Sequence, residues 1–262
     1  SKEPQYLAGL GGTATLLGRW DEAQNHLEAA LKLEPDSAEI QYTFGLLQLT
    51  LGNHKTGWQA HEYGLRTEQR RTTPSPLPRW SGEPLHSARL LVLAEQGLGD
   101  EIMFASCLPD IQGRPDLGSL TIQCDPRLLP LFKRSFHNTT LLPRPTDPSP
   151  VAQTVNADHD LQIAAGSLPA ICRLDETSFP QRERYLYADF RRKEIFRKTL
   201  LRLGPGLKVG VTWRGGATPR TQHFRTVPLS QWAPVFETPG VIFVSLQYGD
   251  TNNELETFNR SS

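Results

Sequence analysis

The chain has 262 residues, with 28 basic and 28 acidic side chains and a formal net charge of zero. That length accommodates one to three domains, and the balanced charge leaves no basic excess to bind nucleic acid or an anionic membrane. No apolar run approaches the ~20 residues of a membrane span, the N-terminus carries no signal-peptide pattern, and Cys107, Cys124 and Cys172 form neither a metal-ligand spacing nor a disulfide framework, which points to a reducing cytoplasm. The short basic clusters Arg70-Arg71 and Arg191-Arg192-Lys193 read as solvated faces.

Residues 1–72 read as a helical repeat. Laid over itself at a shift of 34, the segment matches Gly11 to Gly45 and Gly18 to Gly52. Small residues at this period resemble the tetratricopeptide repeat. Gly11 and Ala30 are small where two antiparallel helices press together, and Leu7, Leu10 and Leu27 fill the groove between them. Gly18 turns the chain, and Pro35 ends the second helix with Asp36 or Ser37 placed to cap the next. The second unit, residues 38–71, is more degenerate. Two units are fewer than the ~3 of a free-standing solenoid, so they are expected to pack on the adjoining domain or to belong to a longer array. Such a groove binds an extended peptide; the plainer alternative is a packing extension of the next domain.

Residues 73–89 are a proline-rich linker through which no helix can run. Trp80 is its one large aromatic and is expected to plug the seam between repeat and sheet.

Residues 90–203 read as an α/β unit. Residues 90–94 (LLVLA) form a continuous apolar run of strand length, as in a parallel sheet buried on both faces. Gly97 and Gly99 come next, and their tolerance of positive φ predicts a sharp turn. Asp100 then opens a helix whose apolar face is Ile102, Met103, Phe104 and Cys107. A carboxylate at the C-terminal end of a strand sits where open α/β sheets bind ligands; the plain alternative is an N-cap. Further strands are expected at 120–124, 139–142 and 160–163, with a helix after Asp125-Pro126 that Pro130 interrupts. Strands alternating with helices argue for right-handed parallel crossovers. Gly166-Ser167 sits after the fourth strand, either lining the same cleft with its amides or making an ordinary turn. Asp158, His159 and Asp160 are adjacent, and three neighbours on a strand cannot all face one ion, so no metal is expected. A helix over 191–203 ends at Gly204-Pro205-Gly206.

Residues 204–262 open a second unit. Residues 207–212 are a strand, succeeded by Trp213-Arg214-Gly215-Gly216 and a polar loop carrying Arg220, His223 and Arg225. Guanidinium forks and free amides at a strand's end suit a phosphate or diphosphate; the alternative is a solvated loop. A helix capped by Ser230 leads to a strand at 241–246. Two strands make a partial Rossmann-like unit, so completion by a partner or by further chain is expected.

In order along the chain, GWQAHEYGLR (57–66), PRWSGEPL (78–85), AEQGLGDEIMFA (94–105), GLKVGVTWRGG (206–216), RTVPLSQW (225–232) and VSLQYGD (244–250) resemble a bacterial family. In it, tetratricopeptide repeats precede a glycosyltransferase region related to family 9, the heptosyltransferases. The resemblance implies an α/β fold with an N-terminal α-helical repeat and a GT-B arrangement. Its parts are TPR-like helices at 1–72, a linker at 73–89, an acceptor-side Rossmann-like domain at 90–203 and a partial donor-side domain at 204–262. It implies Asp100 as general base of an inverting transfer from a nucleotide sugar to a glycan or protein acceptor. Thr212, Arg214, Gly215, Gly216 and Arg225 would hold the donor diphosphate, and Gly97 and Gly99 would supply cleft backbone. No cofactor is implied beyond the nucleotide-sugar co-substrate. The family continues with further strands around the nucleotide. If the chain stops at Ser262, the expectation extends to an inactive, C-terminally truncated relative, and the alternative is a non-catalytic module that binds protein through its repeats.

Overall fold

In the computed structural model, residues 3–70, 72–145, 158–215 and 225–261 are described. Helices α1 (Glu3–Leu16) and α2 (Trp20–Leu33) form an antiparallel hairpin, and α3 (Ala38–Thr50) and α4 (His54–His61) form a second. Small residues let the helices touch. A Cβ on Gly11 would lie 2.6 Å from Leu27 Cγ, and one on Gly45 would lie 2.7 Å from the His61 amide nitrogen. Ala23, Leu27, Ala30, Ile40 and Leu47 are buried between them. Gly18 and Gly52 take φ of 72° and 81° at the two hairpin turns, a conformation that glycine adopts without steric cost. A 3-10 turn (Glu62–Arg66) leads into the linker.

The linker is structured by what it pairs with. The Trp80 amide donates to Gln162 O at 2.8 Å and the Gln162 amide to Pro78 O at 2.9 Å, so residues 78–80 extend the sheet by a parallel bridge. Trp80 is fully buried in the sheet's own core, donating its Nε1–H to Glu83 O at 2.8 Å. The repeat-side aromatic that packs on this core is Trp58, which corrects the expectation that Trp80 fills that seam.

The sheet has four parallel strands among the described residues: β1 (Ala88–Leu93), β2 (Leu117–Cys124), β3 (Thr140–Pro143) and β4 (Leu161–Ala164), ordered β3-β2-β1-β4. Leu90 aligns with Leu120 on one side and Leu161 on the other. Central β1 is buried from Leu90 to Leu93, as its uninterrupted apolar run requires. Its crossover to β2 is α5 (Leu98–Phe104), a 3-10 turn and α6 (Leu108–Gln112). After β2 comes α7 (Leu129–Ser135), and Pro130 lies in its first turn. There a missing amide proton costs nothing, so Pro130 starts this helix where an interruption was expected. After β4 the chain forms a 3-10 turn at Ala165–Ser167 and α8 (Pro169–Cys172).

The contacts divide the chain into Ser1–Tyr187 and Ala188–Ser262. The helical hairpins and the four-stranded sheet therefore belong to one compact unit, and α9 (Phe190–Leu201) lies with the second. The second unit has two parallel strands among the described residues, β5 (Leu207–Val211) and β6 (Val241–Ser245), with α10 (Ala233–Phe236) between them and α11 (Asn252–Ser261) after. Phe236 contacts Phe243 and Phe258 edge-on at 5.0 and 5.4 Å. No described helix is long and apolar enough to cross a membrane.

Candidate functional site

The first unit concentrates its polar groups where β1 ends. Glu95, two residues past the strand, is fully buried. Gln96 takes a left-handed φ of 57°, Gly97 is extended (φ −105°, ψ 174°) and caps α5, and Asp100 lies in the helix's first turn. The Asp100 Oδ2 accepts the Gly97 amide at 3.0 Å. The sequence expectation assigned positive φ to the glycines; the structure places it on Gln96. What Gly97 supplies is room, since a Cβ there would lie 3.3 Å from Asp100 Oδ2, whereas nothing lies within 4 Å of one on Gly99. Asp100 is partly exposed, and its Oδ1 has no hydrogen-bond partner among the described residues. A carboxylate with one oxygen fixed by an amide and the other open can accept a proton at the open one.

Beneath this turn lies a buried ion pair that sequence reading missed. Arg70, read as part of a solvated basic face, is 1% exposed. Its Nε and Nη2 each donate to Glu95, at 2.8 Å. Its Nη1 reaches His61 Nδ1 and His61 O at 2.9 Å and Glu62 Oε1 at 3.1 Å, and its Nη2 also reaches Ser167 Oγ at 3.1 Å. Every N–H of the guanidinium is thus engaged. Burial, with the Arg70 charge adding to it, pushes the His61 imidazole down to about 3, so it stays neutral and accepts from Arg70. The Gly166 amide donates to Glu95 Oε1, and a Cβ on Gly166 would lie 2.4 Å from that oxygen. The Gly166 amide is therefore occupied, and the reading in which it lines an open cleft is corrected. The only sequence signal was a charged residue placed directly after a buried strand.

A third cluster lies beside the turn. The Glu101 side chain is 3% exposed; it accepts the Asp125 amide at 2.7 Å and faces Arg144 Nη1 at 3.4 Å. Burial, opposed by that amide and by Arg144, raises its pKa. The Tyr42 hydroxyl, from α3, stands 3.5 Å from Gln96 Nε2, and burial raises its pKa. At the opposite end of β1, Asp160 is paired with Arg89 at 2.8 Å and His159 with Thr121 Oγ1 at 2.8 Å, so the Asp158–Asp160 run is committed to structure.

In the second unit, Trp213 is buried and donates its Nε1–H to Glu254 at 2.9 Å. Arg214 Nε lies 3.2 Å from the same carboxylate, its Nη2 donates to Asp250 O at 2.6 Å, and its amide donates to Gln247 Oε1 at 3.0 Å. Arg214 is thus held by its own unit. Thr212 and Arg225 are exposed, and a Cβ on Gly215 would lie 3.9 Å from Arg225 Cβ, so those two positions are neighbours. Gly216, Arg220 and His223 lie outside the described residues. An open hollow of about 590 Å³ is lined by Trp213, Thr226, Leu229, Glu254 and Phe258 among others.

No family model matches the chain. It is similar to Protein FlbA of Caulobacter vibrioides, with 34% identity over 255 residues. The match covers 91% of this chain and 42% of FlbA. The chain therefore spans less than half the length of that relative.

Proposed function

We propose that the chain carries the repeat and acceptor-side lobe of an inverting sugar transferase of the GT-B type, together with the opening of its donor-side lobe. In this reading the helices before the linker are tetratricopeptide-like and the co-substrate is a nucleotide sugar. The observation that carries it is Asp100: an open carboxylate oxygen on an amide-fixed turn, at the C-terminal end of the central strand of a parallel sheet. Asp100 takes the proton as the acceptor hydroxyl attacks the anomeric carbon. The new C–O bond forms on the face opposite the diphosphate, and the old C–O bond breaks with its electron pair leaving on the diphosphate. Arg225, Thr212 and the Gly215 and Gly216 amides receive that charge. Arg214, already held by Glu254, serves to position this loop. The reading requires the two units to present these groups to one substrate.

Calorimetry with UDP-, GDP-, CMP- and ADP-sugars tests the donor side. One donor is expected to bind, and Arg225→Ala is expected to abolish that binding. Asp100→Asn is expected to keep donor binding and lower transfer by about 10²–10⁴-fold. Silence across all four donors, or wild-type turnover by the Asn variant, would overturn the proposal. A second reading, a non-catalytic module that binds protein through its helices, is favoured by the Asp100–Gly97 bond, which is a complete cap by itself. Under it, Asp100→Asn changes only stability, by about 0.5–2 kcal/mol.

A further inference from the structure

Arg144 directly succeeds β3, and its amide continues the ladder by donating to Cys124 O at 2.7 Å. Its side chain turns across the end of the sheet toward β1, where Nη1 donates to Gln96 O at 2.8 Å and faces Glu101 Oε1 at 3.4 Å. Those two acceptors occupy one corner of the guanidinium. Among the described residues nothing accepts from Nε or Nη2, and the side chain is 31% exposed. The contrast with Arg70 is direct: Arg70 is spent inside the protein, whereas Arg144 is anchored at one corner with its Nε–Nη2 edge open. That edge is a two-donor fork that matches a carboxylate or a phosphate. Its anchor, Gln96 O, belongs to the same turn that presents Asp100.

We propose that the Nε–Nη2 edge of Arg144 is a binding subsite for an oxyanion, a phosphate ester or carboxylate, carried by the molecule that meets Asp100. Calling that molecule the transferase acceptor rests on the function proposed above; the subsite itself does not. Arg144 fixes the anion bidentately, while its Nη1 contact with Gln96 O ties the occupied subsite to the Asp100 turn. The left-handed Gln96 is what turns its carbonyl toward Arg144.

Inorganic phosphate and acetate, titrated separately into the full chain and monitored through the arginine Nε–H resonances, serve as probes. Saturable binding of at least one is expected, with the Arg144 Nε–H resonance shifting. Preference for phosphate assigns a phosphate ester, and preference for acetate a carboxylate. Arg144→Gln is expected to weaken binding by about tenfold or more, the loss of one charge-assisted fork. Arg225→Ala is expected to leave it unchanged. Because the Gln variant also loses the Gln96 anchor, Arg144→Lys provides a control: it keeps charge and one donor but not the fork, and an intermediate affinity is expected. Absence of binding by both probes, or equal affinity in wild type and Arg144→Gln, would overturn the subsite. An inactive transferase that still binds phosphate through Arg144 would sink only the functional reading. An active one that ignores both anions would sink only the subsite.

Discussion

Arg70 and Glu95 each depend on the other to be tolerable inside the protein. Glu95→Gln removes the charge that Arg70 faces on two nitrogens and leaves a buried cation half-compensated. A loss of about 3–5 kcal/mol is expected, read as a fall in urea midpoint; a loss below about 1 kcal/mol would mean that water reaches the site. Arg70→Met with Glu95→Leu should recover part of it, since an apolar pair has no charge to desolvate. His61 adds a pH signature. Its folded pKa of about 3 lies below the ordinary 6.5, so between those values the unfolded chain binds a proton that the folded chain refuses. Stability therefore falls as pH drops below 6.5 and the loss is complete near 3, on the order of 4 kcal/mol. His61→Gln keeps an acceptor for Arg70 and should flatten the stability slope between pH 7 and 5. Identical slopes in variant and wild type would contradict the assignment.

Among the elements, the two helical hairpins show which glycines are structural. A methyl on Gly45 would meet backbone, the His61 nitrogen at 2.7 Å and the Ala60 carbonyl carbon at 2.9 Å, whereas one on Gly9 meets nothing within 4 Å. Gly45→Ala is expected to cost about 1–3 kcal/mol by overpacking. Gly9→Ala is expected to stabilise α1 by up to about 1 kcal/mol, through helix propensity alone. Thermal melts of the two variants against wild type check both signs. The strands are legible because their apolar runs are local: residues 90–94, 120–124 and 241–246 each read as a strand, and each forms one at nearly those positions. Turn geometry is less legible. The left-handed residue is Gln96, because the cap and the buried Glu95 fix the backbone on either side of it, and no propensity rule selects glutamine for that place.

For the whole molecule, the Arg70–Glu95 pair and the linker's bridge to Gln162 tie the helices and the sheet into one unit. Removing residues 1–72 is therefore expected to abolish the cooperative melt of the four-stranded sheet, not to free an independent domain; a truncated chain with a sharp transition and native near-UV signal would refute this. The second unit differs. Its described sheet has two strands, and Phe190, Ile195, Phe196, Leu207 and Leu246 are each more than half exposed. A two-stranded ribbon buries little apolar surface, so amides of β5 and β6 should exchange faster than those of β1 and β2 in a hydrogen-exchange time course.

By itself, the sequence determined the local matters: where apolar periodicity makes helix or strand, where glycine lets two helices touch, and that an acid stands just past the central strand. These depend on residues within one turn or one strand of each other, so adjacent side chains carry the information. Only the tertiary structure decided that Arg70 is a buried partner of Glu95, 25 residues away, that Gly166 surrenders its amide to the same carboxylate, and that Arg144 keeps one edge of its guanidinium open. An arginine's charge is identical in water and in a core. What it does is set by which acceptors the folded chain brings to it and by how much water they displace, and no stretch of neighbouring residues encodes either.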